Sequence, residues 1–217
     1  MHPDRSTTPS TRRTIAATTL TVLAGLMPVA TAAASAPPDA PPSATTGGNP
    51  AGCVADWDGT PLFTDQFTVD HADNYSIEYH DNYKVLTVVE PYFGADPEHY
   101  VLVQCGTDAP DLDGELAGAQ VVDIPIESMY STSSSHLGFI DVLGIADTVT
   151  GVSNADTVMI DSVRSRVDAG EVVSFAPTFE VDAEVVINGA PDVLVGGGSD
   201  DPAHEAIVAA GIPVLGN

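Results

Sequence analysis

The sequence predicts an α/β protein, with a doubly wound, mostly parallel sheet preceded by additional N-terminal antiparallel strands. Three observations predict it. Residues 182–217 alternate helix and strand with very short loops, and a right-handed crossover makes such strands parallel. Residues 119–143 supply a buried strand, a loop and an amphipathic helix. Residues 74–90 instead hold two aromatic and β-branched runs joined at Asp81-Asn82, the pattern of a hairpin.

The first part of the chain is expected to stand outside this domain. Arg12-Arg13 precede an apolar run from Ile15 to Leu26 and a small-residue tract at 30–36. That is the layout of an export signal over residues 1–36, and Ser10-Thr11-Arg12-Arg13 hints at the twin-arginine kind. The apolar run is shorter than the ~20 residues a membrane span needs. Residues 37–52 are Pro, Ala, Gly, Ser and Thr with a single Asn and one charge, a disordered linker by composition. Ala51-Gly52-Cys53 invites a lipoprotein reading, which Pro50 and the remote apolar run disfavour.

Cys53 and Cys105 are the only cysteines. An even count in an exported chain points to a disulfide, and a metal pair lacks further His or Cys at ligand spacing. The formal net charge is −25, with only Lys84, Arg164 and Arg166 basic after the export segment. Such a surface repels nucleic acid and anionic membranes. Solubility explains the acidity, and so does attraction of a cationic ligand.

Residues 53–118 are expected to form a β-rich segment containing the disulfide. Strands fall at 76–80, 84–89 and 100–104 and form the outer edge of the sheet, with Lys84 in a rim salt bridge. Asp108, Asp111, Asp113 and Glu115 lack the register of a calcium loop, which leaves a solvated turn. The α/β lobe occupies 119–217. Its first strand, 119–126, ends at Pro125, and a hydroxyl-rich stretch follows from Glu127 to His136. Free backbone N–H groups at a helix start and converging hydroxyls make a cradle for polar groups, and ligands lie at the carboxyl ends of such strands. Tyr130, Thr132, Ser133, Ser134, Ser135 and His136 are the candidate ligand contacts, although some of these hydroxyls must serve as helix caps.

The following helix spans 137–143, with Leu137, Ile140 and Leu143 or Val142 inward. Gly144 ends it. A strand at 148–152 leads into Ser153 and Asn154, a second candidate contact loop. Residues 158–167 contain a helix with Arg164 and Arg166 facing solvent, and 169–179 are irregular, with Phe175 and Phe179 packed in the core or against the floor of a cleft. Glu184 opens a helix that stops at Asn188-Gly189. Residues 192–195 form a buried strand, Gly196–Gly198 and Ser199 a loop, 204–210 a helix opened by Asp201-Pro202, and 212–215 the last strand.

A glutamate on a short helix, seven residues before Pro191-Asp192 and an apolar strand, is followed by a helix ending in Gly211-Ile212-Pro213-Val214. Together with the step Leu143-Gly144-Ile145 to Val149-Thr150-Gly151-Val152, this resembles the first lobe of ABC-transporter substrate-binding proteins for ferric siderophores, haem and vitamin B12. The likeness covers residues 74–217. It implies the N-terminal lobe of a class III periplasmic-binding-protein-like fold, with a second lobe beyond a truncated end. It also implies that residues 130–136 and the Ser153-Asn154 loop face the ligand cleft, and that Glu184 docks to an arginine pocket of the membrane permease. The small-molecule ligand would be an iron(III)-siderophore or cobalamin-like chelate, bound by a monomer in the periplasm or cell envelope.

Catalytic patterns are not found: there is no G-x-S-x-G elbow, P-loop or H-E-x-x-H. His136 follows Ser135, but adjacent residues on a helix point apart. No enzyme and no cofactor are therefore expected. The alternative to a transport protein is an exported ligand-sensing or adhesive module with a single α/β lobe.

Overall fold

The computed structural model describes residues 49–178, 180–196 and 202–216. Residues 1–48, on which the expected export signal and most of the expected linker fall, lie outside the described residues, as do Phe179, the glycine loop after Gly196, Asp201 and Asn217.

Two sheets make up the described protein. In the first, β1 (Tyr75–Tyr79) and β2 (Tyr83–Val88) form the expected hairpin. Next, β3 (Glu98–Gln104) pairs antiparallel with β2, and β4 (Gln120–Ile124) pairs parallel with β3. The order is β1-β2-β3-β4. These strands are a sheet of their own rather than the outer edge of the second one. The strand expected to lead into the hydroxyl-rich loop belongs here too, because β4 spends its hydrogen bonds on β3.

A segment before β1 is tied across this first sheet. Cys53 and Cys105 form a disulfide with Cα atoms 4.6 Å apart. Val54 N–H donates to Cys105 C=O, Gln104 Nε2 to Gly52 C=O and Leu62 N–H to Asp81 C=O. This segment also covers Lys84, and among the described residues no salt bridge of the expected rim kind holds it. Lys84 is 9% exposed, with its Nζ 4.5 Å from the Phe63 ring centroid and 5.5 Å from that of Tyr79. Ring faces attract the cation, while burial pushes its pKa below the usual lysine value.

The second sheet is parallel throughout. It contains β5 (Met129–Ser131), β6 (Val149–Val152), β7 (Val173–Ser174), β8 (Val193–Val195) and β9 (Val214–Leu215), in the order β7-β6-β5-β8-β9. The chain thus walks outward from β5 to β7, then crosses back to the other side of β5. Four helices accompany these strands: α1 (Ser134–Leu143), α2 (Asp161–Asp168), α3 (Ala183–Gly189) and α4 (Pro202–Ala209).

Successive strand residues face opposite ways, which divides the interior in two. Met129, Val149, Val152 and Val193 pack with Leu137 and Ile140 of α1 and Val163 of α2. Tyr130, Phe175, Leu194 and Val214 pack with Val186 of α3 and Ile207 of α4. Helices therefore cover both faces, as in a doubly wound sheet.

Local departures from the expected pattern have physical reasons. Val142 and Leu143 are exposed. Gly144 adopts a left-handed φ of 70° and Ile145 N–H closes back onto Ile140 C=O, so that Ala146 rather than Leu143 returns to the core. Arg166 does not project freely into solvent. Its Nη1 donates to the carbonyls of Ala146, Asp147 and Val149, bracing the turn that enters β6, and its Nε donates to Glu171. Arg164 pairs with Asp168 one turn on.

The two sheets are joined through side chains. Gln120 of β4 gives its amide N–H to Val214 C=O at 2.8 Å and accepts Val214 N–H at 2.7 Å. A single side chain thus occupies the outer edge of β9. Gly216 N–H donates to the Tyr100 hydroxyl at 2.7 Å, and that hydroxyl donates to Glu98.

Candidate ligand site

The carboxyl ends of β5 and β6 carry most of the candidate contacts. A parallel sheet aims all its carboxyl ends the same way, so the loops that leave adjacent strands gather at one rim. Ser133 caps α1 by accepting Ser135 N–H at 3.2 Å. Asn154 caps the next turn, where its side-chain oxygen accepts Asp156 N–H at 2.9 Å. Ser153 N–H donates to Ser131 C=O at 3.1 Å, which brings the two loops edge to edge.

Between them lies a small cavity lined by Ser131, Ser133, Ser134, Ser153, Asn154 and Thr157, with Leu137, Val152 and Val158 as its apolar wall. Its volume is about 10 Å³, room for roughly one water. Hydroxyls, an amide and the start of α1 surround it, and no charged side chain does. In a chain of net charge −25, that is a locally neutral, hydrogen-bonding surface.

Thr132 and His136 face the other side of the same loop, toward β8. Both the N–H and the hydroxyl of Thr132 donate to Val195 C=O, at 3.0 and 3.2 Å. Gly196 has a φ of 109°, and a Cβ there would meet Thr132 Oγ1 at 2.0 Å and His136 Cε1 at 3.0 Å. Glycine is what lets the chain leaving β8 pass so close. The sheet order reverses here, between β5 and β8, the switch point where such folds hold ligands.

His136 is held by Ser131, whose Oγ lies 2.9 Å from Nδ1 and 3.1 Å from Ser133 C=O. A hydroxyl has one proton to give. The tautomer of His136 sets whether that proton goes to Ser133 C=O, with Nδ1–H donating to Ser131, or to Nδ1 itself. Burial lowers the pKa of this imidazole and favours the neutral ring. Ser131 is 1% exposed, so the pair orients His136 and does not present a nucleophile.

The remaining candidates are dispersed. Tyr130 departs from the expected loop position: it is 2% exposed, inside β5, with its ring stacked on Phe175 at 5.3 Å. Its side chain points into the core on the face opposite α1, because strand residues alternate. Ser135 is exposed on the first turn of α1, outside the cavity lining. Glu184 is exposed on the first turn of α3, where Asp182 takes the capping role by accepting the N–H groups of Glu184 and Val185.

Thr157 and Gly196 were not among the sequence candidates, and Ser131 lay within the expected 130–136 stretch without being singled out. Thr157 left no trace in the sequence, and Gly196 only its place after an apolar run. Among the described residues no group of three His, Cys, Asp or Glu side chains gathers to hold a metal. No helix among them is long and apolar enough to cross a membrane, and the disulfide is consistent with an oxidising compartment. No protein-family model matches the chain, and no curated protein matches it.

Proposed function

We propose that this protein is an extracytoplasmic substrate-binding component of an ABC importer. In this reading its second sheet and four helices are the N-terminal lobe of a periplasmic-binding-protein-like fold. The lobe captures an iron(III)-siderophore or cobalamin-like chelate and delivers it to a membrane permease. The observation that carries the reading is the meeting of two hydroxyl-bearing loops, Thr132–Ser134 and Ser153–Asn154, at the carboxyl rim of a parallel sheet. A cavity the size of one water suits a surface that touches part of a large ligand and needs a facing surface to enclose the rest. Glu184 supports the docking step as an exposed carboxylate with no ion pair among the described residues, available for bidentate pairing with arginine.

The uncharged rim and acidic surroundings favour neutral or cationic chelates, such as ferric trihydroxamates and cobalamin, over anionic tricatecholates. Calorimetric titration of the full chain with these three classes tests the reading. Saturable binding of a neutral chelate, weakened by Asn154→Ala and Ser133→Ala, is the expected result. Heats indistinguishable from dilution for every class would overturn it.

A second reading, an exported sensory or adhesive module, draws support from Phe139, Val142 and Leu143, which α1 exposes together. Such apolar surface marks contact with another protein. Under that reading chelate binding is weak, because a lone lobe buries little of a large ligand.

A further inference from the structure

The first sheet ends on β1, and no backbone group among the described residues pairs with the outer side of that strand. His80 N–H donates to Tyr83 C=O and Val89 N–H to Asn74 C=O. In an antiparallel pair the bonding residues alternate, so 74, 76, 78 and 80 bond inward to β2. The N–H and C=O groups of Tyr75, Ile77 and Tyr79 are then directed outward. Natural edge strands are commonly blunted by lysine, proline or a bulge. β1 contains neither residue, and its register with β2 is continuous.

A groove of about 480 Å³ runs along this strand. Five consecutive residues, 75 to 79, line one wall. Consecutive side chains alternate between faces, so a groove touching all five follows the edge of the strand and not one face. Residues 66–69 form the other wall, with Phe67 set edge-on to Tyr79 at 6.2 Å. Phe67 is 59% and Tyr75 41% exposed, which leaves aromatic surface beside the unpaired backbone. Glu78 lines the groove, Asp65, Asp70 and Asp73 flank its two wall segments in sequence, and residues 49–83 contain no lysine or arginine. The nearest cation, Lys84, is already held against the rings of Phe63 and Tyr79.

We propose that this edge binds an extended, cationic segment of another protein, which adds to β1 as a fifth strand. Backbone pairing with Tyr75, Ile77 and Tyr79 supplies the register, exposed rings contact alternate side chains, and the acidic surround selects lysine or arginine. A second copy of this chain fits the backbone but not the charge, since each copy carries a formal −25.

The test is calorimetry of the full chain with a capped peptide of alternating lysine and valine. The controls are the glutamate–valine counterpart and a lysine–valine peptide N-methylated on its pairing edge. Ile77→Pro removes an outward N–H while sparing the ladder to β2, the position where an edge strand tolerates proline. The lysine peptide is expected to bind, to weaken with salt, and to lose roughly tenfold or more in affinity with Ile77→Pro or N-methylation, as loss of backbone hydrogen bonds dictates. The N-methylated peptide keeps the test decisive if the proline variant fails to fold. Equal binding of the glutamate peptide, indifference to both backbone blocks, or edge-dependent self-association without peptide binding would each overturn the proposal.

Discussion

Lys84 is the chain's single lysine, and its surroundings make it a direct probe of how burial competes with ring contact. Desolvation disfavours the ammonium form and lowers its pKa from the ordinary 10.5, while the rings of Phe63 and Tyr79 favour the cation. Because the folded value lies below the unfolded one, the unfolded chain holds more proton between the two. Stability contributed by this group therefore rises with pH through that window. Isotope-edited NMR of the Lys84 Cε resonance should give a midpoint below 10.5; a midpoint at or above it would contradict the account. Gly151 offers a second residue-scale prediction. A Cβ there would lie 2.5 Å from the Tyr130 ring, so Gly151→Ala is expected to cost about 1–3 kcal/mol by overpacking. Urea unfolding with a wild-type midpoint would count against that packing. Neither environment was legible in the sequence. Nothing in the residues around Lys84 announces that a segment more than fifteen residues upstream will cover it, and a tyrosine in a hydroxyl-rich run looks like loop until the strand beneath it is known.

At the scale of elements, the disulfide and Gln120 hold pieces that local structure alone would leave loose. Cys53 and Cys105 are 52 residues apart, and closing a loop of that length restricts the unfolded chain by about 4 kcal/mol on the entropy model. Reduction, or Cys53→Ser with Cys105→Ser, is expected to lower the stability of the first sheet by roughly that amount. An unchanged denaturation midpoint would remove the disulfide from the account. Legibility varied by element for clear reasons. The hairpin, α1, α3 and β8 announce themselves through β-branched runs, periodicity and the stops at Gly144 and Asn188-Gly189. β5 did not, since three residues show no period, and its polar Ser131 is buried only because Ser133 C=O and His136 bond it. β4 was found as a strand but joins the first sheet, a choice of partner that its own residues do not encode.

Across the whole molecule, the placing of α1 and α2 on one face and α3 and α4 on the other follows from the alternation of Met129 with Tyr130 and Val193 with Leu194. That winding brings the Thr132–Ser134 and Ser153–Asn154 loops to one rim and sets Gly196 against Thr132 and His136. The Ser153-Asn154 loop was legible as the exit of an expected strand, whereas Thr132–Ser134 leaves β5 and not the strand expected before it, which is β4 of the first sheet. The division of the site into a cavity side and a switch-point side was not legible, since it depends on strand order. The most direct measurement is the map of backbone amide shifts when the full chain is titrated with a diamagnetic gallium(III) trihydroxamate. Shifts concentrated at residues 132–136 and 153–157 are predicted. Shifts centred elsewhere, or none at saturating chelate, would contradict a ligand site at the rim of the second sheet.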